Sequence, residues 1–165
     1  MDSSNFSSAG PVRILLVDDY EPWCQYVGCM FREHSDFEIV CTVSNGLDAV
    51  QKAHDLQPEL ILLDIGLPGV NGIEAARRIR QQVPDSKILF VSENRSVDIA
   101  EEALRTGAGG YVVKSDAAND LVAAAKAVVK GQRFVSATLA GHFLVATTLS
   151  TTQLSWMAML ILAIR

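Results

Sequence analysis

Four short apolar runs with few charges recur along the chain, at Val12–Val17, Leu60–Leu63, Ile88–Val91 and Tyr111–Val113. Unbroken apolar stretches of this kind suit strands of a parallel sheet covered on both faces. A fifth run, Phe37–Val43, is broken by Glu38 and Thr42, the mark of a less covered strand, and is placed at an edge. Between the runs the apolar positions change to helical spacing. Trp23, Tyr26, Val27, Met30 and Phe31 form one stripe and Ile73, Ala76, Ile79 and Val83 another. Ala100, Ala103 and Leu104 form a third, and Leu121, Ala125 and Val128 a fourth. Asn45-Gly46, Gly69, Pro84-Asp85 and Gly107–Gly110 punctuate the elements. The pattern predicts an α/β fold of five β–α units, with a parallel sheet, right-handed crossovers and helices on both faces.

Composition supports one such domain with a small appendage: 165 residues, 49% hydrophobic and 20% charged. A net charge of −5 argues against a nucleic-acid grip by the whole chain, which needs a basic surface. Cys24, Cys29 and Cys41 have no zinc spacing and are read as buried thiols in a reducing compartment. Residues 1–10 are polar and acidic, without the basic start and apolar core of a signal peptide. They are expected to be disordered, with the domain running over 11–133. Residues 134–165 are expected to form a hydrophobic helical tail. No Asp, Glu, Lys or Arg occurs from Phe134 to Ile164, so a DNA-reading domain, which needs basic side chains for phosphates, is not expected there. The tail reads as an interaction helix, packed on the domain or on a second copy, or as a truncated remnant. A membrane segment is disfavoured, because its first half is rich in Thr and Ser and no basic cluster flanks it. His34, His54 and His142 are too scattered to act together, and Arg77, Arg78 and Arg80 read as a solvated helix face.

The first strand raises a question of charge, because Val17 leads straight into Asp18 and Asp19. Two carboxylates about 4 Å apart repel by about 4 kcal/mol at an effective dielectric of 20. Ligands of open parallel sheets bind beyond the carboxyl ends of strands, where the strand order reverses. Asp64 follows the third strand, Ser92 the fourth and Lys114 the fifth, so all five side chains are expected at one end of the sheet. Oxygen-only ligands favour Mg²⁺, which would remove the repulsion and neutralise an incoming phosphoryl group. Asp64 is then a nucleophile that forms an aspartyl phosphate, Lys114 pairs with a phosphoryl oxygen, and the Ser92 hydroxyl donates to another. Singly, each residue has a plainer reading: Asp19 as a helix cap, Asp64 as a turn, Ser92 and Lys114 as strand ends, Tyr111 as edge-strand packing with a wet hydroxyl.

The segments "LLVDD", "LLDIGLPGVNGIEAARRIR", "FVS", "GAGGYVVKSD" and "VVKGQRFVS" closely resemble the receiver domain of bacterial two-component response regulators. The likeness is greatest to regulators of the LuxR/NarL type, and it covers Arg13 to about Arg133. It implies a flavodoxin-like (βα)5 fold with a doubly wound parallel five-stranded sheet, order 2-1-3-4-5. It further implies that Asp64 is the phosphoacceptor, that Asp19 binds Mg²⁺ directly with Asp18 assisting, and that the Gly66 backbone carbonyl is a further ligand. Ser92 and Tyr111 take the positions of the switch hydroxyl and switch aromatic, and Lys114 that of the phosphate-binding lysine. The implied partners are a sensor histidine kinase or phosphotransfer protein, with a possible homodimer, no direct DNA binding, and a cytoplasmic location. On this reading the chain is no metabolic enzyme and catalyses only its own phosphorylation.

Two positions depart from the family's usual pattern. Ser115 follows Lys114 where proline is frequent, so a trans bond and an altered loop are expected. Glu93 follows Ser92 where a small residue is frequent, and its acidic side chain would screen the site; Asn94 would influence hydrolysis. Two rivals stand beside the switch. One is a receiver-like binding module that never takes phosphate. The other, a phosphohydrolase with an aspartyl intermediate, is disfavoured because Asp64-Ile65-Gly66 has no acid two positions on.

Overall fold

The computed structural model describes residues 10–142, so the expectations for the extreme N-terminus and for the tail beyond 142 lie outside the described residues. Strands β1 (Val12–Val17), β2 (Phe37–Val43), β3 (Leu60–Leu63), β4 (Lys87–Ser92), β5 (Gly110–Val113) and β6 (Phe134–Val135) form one sheet in the order β2-β1-β3-β4-β5-β6. Every pairing is parallel. The helices are α1 (Glu21–Arg32), α2 (Gly46–Leu56), α3 (Gly72–Gln82), α4 (Val97–Arg105) and α5 (Ala117–Val129). A 3-10 turn over Lys114–Asp116 joins β5 to α5.

Alternation along the strands builds two cores. Leu15, Val17, Ile61, Leu63, Ile88, Phe90 and Tyr111 face α2, α3 and α4. Ile14, Leu16, Leu60, Leu62, Leu89, Val91 and Val112 face α1 and α5. Apart from Arg13 in β1 and Lys87 and Ser92 in β4, the central strands are therefore apolar throughout, as the runs indicated, and each buried Leu or Ile contributes about 1.5–3 kcal/mol. β2 lies at one edge with several half-exposed positions, as its broken pattern predicted.

The structure corrects the sequence reading at three places. The sheet has a sixth strand, and it lies past the expected domain boundary at residue 133. β6 approaches so closely that a Cβ on Gly110 would stand 2.5 Å from the Phe134 carbonyl oxygen. Tyr111 is consequently interior and fully buried, not on an edge. On α1 the buried face is Cys24, Val27 and Phe31, while Tyr26 is exposed and Trp23 and Met30 are half-buried. Aromatic bulk in the sequence drew the stripe a fraction of a turn away from the true core face. Of the three cysteines only Cys24 is buried; Cys29 is exposed and Cys41 intermediate. The Lys114–Ser115 bond is trans, as expected, since none of the described peptide bonds is cis.

Candidate functional site

Register places the acids. Val17 pairs with Leu63 across β1 and β3, so Asp18 and Asp64 leave the sheet side by side. The Asp18 N–H donates to the Val43 carbonyl and the Asp64 N–H to the Val17 carbonyl, both at 3.0 Å. Both backbones are thus held by the neighbouring strand at the moment the side chains clear it. Asp18 and Asp64 are buried and Asp19 is exposed. Asp18 Oδ1 accepts the Tyr20 N–H at 2.9 Å and Asp64 Oδ1 accepts the Ile65 N–H at 2.8 Å. The plainer reading of Asp19 as a helix cap does not hold: Tyr20 is the N-cap of α1, with no side-chain cap bond.

Lys114 lies across both buried acids. Its Nζ stands 2.6 Å from Asp18 Oδ2 and 3.6 Å from Asp64 Oδ2, and 5.1 Å from the centre of the Trp23 ring. Neither Trp23, read only as part of an apolar stripe, nor Tyr20 was expected at the site, because a helix-start aromatic carries no signal that a cation three strands away will reach it. An open cleft of about 660 Å³ receives the group, lined by Asp19, Tyr20, Asp64, Ile65, Gly66, Ser92, Glu93, Asn94 and Lys114. A Cβ on Gly66 would stand 3.8 Å from Asp64 Oδ2, which puts its backbone beside that carboxylate. The Ser92 hydroxyl accepts the Asn94 N–H at 3.2 Å. It also lies within hydrogen-bonding reach of the Tyr111 hydroxyl and lines the cleft. Behind it, the buried Tyr111 hydroxyl donates to the Asn94 carbonyl at 2.8 Å.

Asp18, Asp19 and Asp64 each offer a carboxylate oxygen, and the three oxygens lie within 4.8 Å of one another. Hard oxygen donors at this spacing, with an open cleft for waters, fit a small divalent cation such as Mg²⁺. Charge balance at the site is tight. Burial, opposed by the Lys114 charge and reinforced by Asp18, raises the Asp64 carboxyl above its ordinary value. Burial, with Asp18 and Glu21 nearby, pushes the Cys24 thiol up to about 11, so it stays protonated and inert at neutral pH.

The Asp64 shift has a sign that stability can test. A carboxyl raised in the folded chain binds protons there more readily than when unfolded, so ionising it costs stability as pH rises from the unfolded to the folded value. Asp64→Asn is therefore expected to be more stable than wild type at neutral pH without divalent cations. The gain should shrink as pH falls toward the ordinary carboxylate range. Urea unfolding of both chains across pH 3–8 measures it; a less stable variant at neutral pH contradicts it.

The model of the response regulator receiver domain matches residues 14–126, and the chain belongs to this family. The transcriptional regulatory protein DegU of Brevibacillus brevis is 33% identical over 124 residues, which are 75% of this chain and 52% of that protein. The response regulator GacA of Pseudomonas protegens is 30% identical over 129 residues, 78% of this chain and 61% of that one. This chain thus spans between half and two thirds of those curated relatives. Among solved structures, a LuxR-family two-component response regulator from Aurantimonas sp. SI85-9A1 superposes with a TM-score of 0.79 at 29% identity, covering 84% of this chain and 99% of that one. The response regulator domain of Thermotoga maritima CheB gives 0.68 at 27% identity, covering 73% and 97%. The relatives bear out the LuxR/NarL-type likeness and the flavodoxin-like receiver fold, extended here by β6. Among the described residues no helix is long and apolar enough to cross a membrane.

Proposed function

We propose that the chain is a phosphorylation switch that accepts a phosphoryl group on Asp64 from the phosphohistidine of a sensor kinase or phosphotransfer protein. The observation that carries the reading is the Lys114 ammonium lying between the Asp18 and Asp64 carboxylates, with Asp19 beside them in one open cleft. An Asp64 carboxylate oxygen attacks phosphorus, the phosphorus–nitrogen bond of the donor breaks, and the imidazole leaves with its electron pair and takes up a proton. Asp18, Asp19, Asp64 and the Gly66 carbonyl would hold Mg²⁺, which when bound offsets charge on the acids and the transferring phosphoryl oxygens. Lys114 pairs with one phosphoryl oxygen, and the Ser92 hydroxyl turns to donate to another. No general acid stands two residues after Asp64, so the chain catalyses its own modification and not the turnover of a metabolite.

The switch runs through Asn94. Its N–H is bound to Ser92 and its carbonyl to Tyr111, so drawing Ser92 toward a new charge pulls on the residue that holds the Tyr111 hydroxyl. Tyr111 packs in the core beside α4 residues, and this side of β5 is where a partner or a second copy would sense the change. Glu93 lines the cleft and disfavours bulky anionic donors there.

Incubation with Mg²⁺ and a small acyl phosphate, followed by intact mass measurement, tests the reading. One added phosphoryl group is expected in wild type and none in Asp64→Asn. Absence of the adduct in wild type would instead favour a receiver-like module that binds its partners without phosphate, the Lys114 pair holding the acids neutralised.

A further inference from the structure

Lys114 is the last thing β5 delivers, and the chain that follows α5 returns to hold the place from which it projects. Ser136 is fully buried, with its N–H donated to the Tyr111 carbonyl at 3.0 Å. Its carbonyl is turned away from the sheet and accepts the N–H groups of Leu139 and Ala140, both at 2.9 Å, opening the helical stretch over 137–142. The Val113 N–H would otherwise lack the partner that a continuing strand supplies. The Ser136 hydroxyl accepts it instead, at 2.9 Å in a buried setting. On the other side of Lys114, the Thr138 hydroxyl donates to Asp116 Oδ2. Leu139 is buried in the same core as Tyr111 and Val113 and pins this segment down. Lys114 thus sits between two anchors, Val113 and Asp116, and both are held by residues 136–138.

We propose that Ser136 is a positioning residue for the phosphosite: with Thr138 it fixes the Val113–Asp116 turn and so aims Lys114 at Asp18 and Asp64. This rests on the reading that Asp64 accepts a phosphoryl group. It adds that the segment after β6, residues 136–138, is tied to the acid cleft through the turn that carries Lys114. A Ser136→Ala chain leaves the Val113 N–H without its acceptor, and the turn that carries Lys114 loosens. Misplacement of a group that stabilises transferring charge by a fraction of an ångström slows transfer by about tenfold.

The test is a double-mutant cycle on the full chain. Phosphoryl uptake from a small acyl phosphate with Mg²⁺ is timed in wild type, Ser136→Ala, Lys114→Ala and the double variant. Lys114→Arg replaces Lys114→Ala if the alanine chain does not fold. Ser136→Ala is expected to slow uptake about tenfold in the wild-type background, at saturating donor as well as at low donor, and to change nothing further once Lys114 is gone. Ser86→Ala is the control. Ser86 is also a buried serine, donating to the Pro58 carbonyl at 2.6 Å, but it lies at the opposite end of the sheet, so its loss should weaken the fold and leave the uptake rate unchanged. An equal slowing by Ser136→Ala with and without Lys114, or by Ser86→Ala, overturns the proposal. If wild type takes up no phosphoryl group, the switch reading fails by itself. The same four chains then decide the positioning by urea unfolding: non-additive stabilities for Ser136→Ala and Lys114→Ala sustain it, and additive ones overturn it.

Discussion

Lys114→Ala is expected to lose about 3–5 kcal/mol of folding stability at neutral pH in the absence of divalent cations. The Asp18 side chain is only 2% exposed and the Lys114 side chain 10%, so neither charge can turn to water when its partner is removed. Asp18 Oδ1 would keep the Tyr20 N–H, but Oδ2 would be left facing Asp64 without the ammonium between them. Burial alone would lower the Lys114 ammonium, yet the hydrogen bond to Asp18 and the charges of Asp64 and Asp18 outweigh it and hold the group above its ordinary value. A lysine raised in this way contributes its stability in full below the unfolded value and loses it as pH rises through the folded value. The stability difference between wild type and variant should therefore narrow only in strongly alkaline solution. Mg²⁺ should stabilise the alanine chain more than wild type, because the acids it frees no longer share an ammonium. Urea unfolding with and without Mg²⁺ reads both effects. A loss below about 1 kcal/mol, the range of exposed ion pairs, would contradict the account.

Gly72→Ala is the second large effect. A Cβ at this position would lie 1.9 Å from the Asp64 carbonyl oxygen and 2.8 Å from Ile65 Cα, both backbone atoms that no rotamer change can move aside. The Gly72 N–H also donates to the Ile65 carbonyl at 2.9 Å, so the start of α3 is seated directly on the turn that carries Asp64. Asn71 caps the helix from the other side by accepting the Glu74 N–H at 3.0 Å. An added methyl must push α3 off this turn or move Asp64 itself. The expected cost is about 3 kcal/mol, the upper part of the range for overpacking, together with slower phosphoryl uptake because the nucleophile shifts. Denaturant unfolding and the timed mass assay check the two parts. Wild-type stability in the alanine chain would show that the approach of α3 to Asp64 is looser than described.

Much of this arrangement was legible in the sequence because it is carried by periodicity. Strands covered on both faces must be apolar at every position, and β1, β2 and β3 begin and end where their apolar runs do. The site was legible for a topological reason: residues one step past parallel strands must share an end of the sheet, so Asp18, Asp19, Asp64, Ser92 and Lys114 meet. What escaped were features set by tertiary approach. β6 is two residues long and has no period to detect. It nevertheless turns Tyr111 from an edge residue into a core one. The tight seat of Gly72 leaves no mark in the sequence, since only the packed structure reveals the carbonyl against it. The core face of α1 was misjudged because Trp23 and Tyr26 are apolar by type. In the fold, however, Trp23 lies beneath the Lys114 ammonium and Tyr26 packs beside it, the rings tilted with centres 5.4 Å apart. A site that borrows an aromatic from the surface of a helix borrows it from the hydrophobic count as well.

The most direct measurement is the location of the phosphoryl group. After brief exposure of the full chain to Mg²⁺ and a small acyl phosphate, borohydride reduction converts an aspartyl phosphate to a stable alcohol, and peptide sequencing by mass places it. The account predicts conversion at Asp64, with Asp18 and Asp19 unchanged and no conversion when Mg²⁺ is chelated. Conversion at Asp18 or Asp19, or an equal yield at Asp64 without the metal, would contradict it.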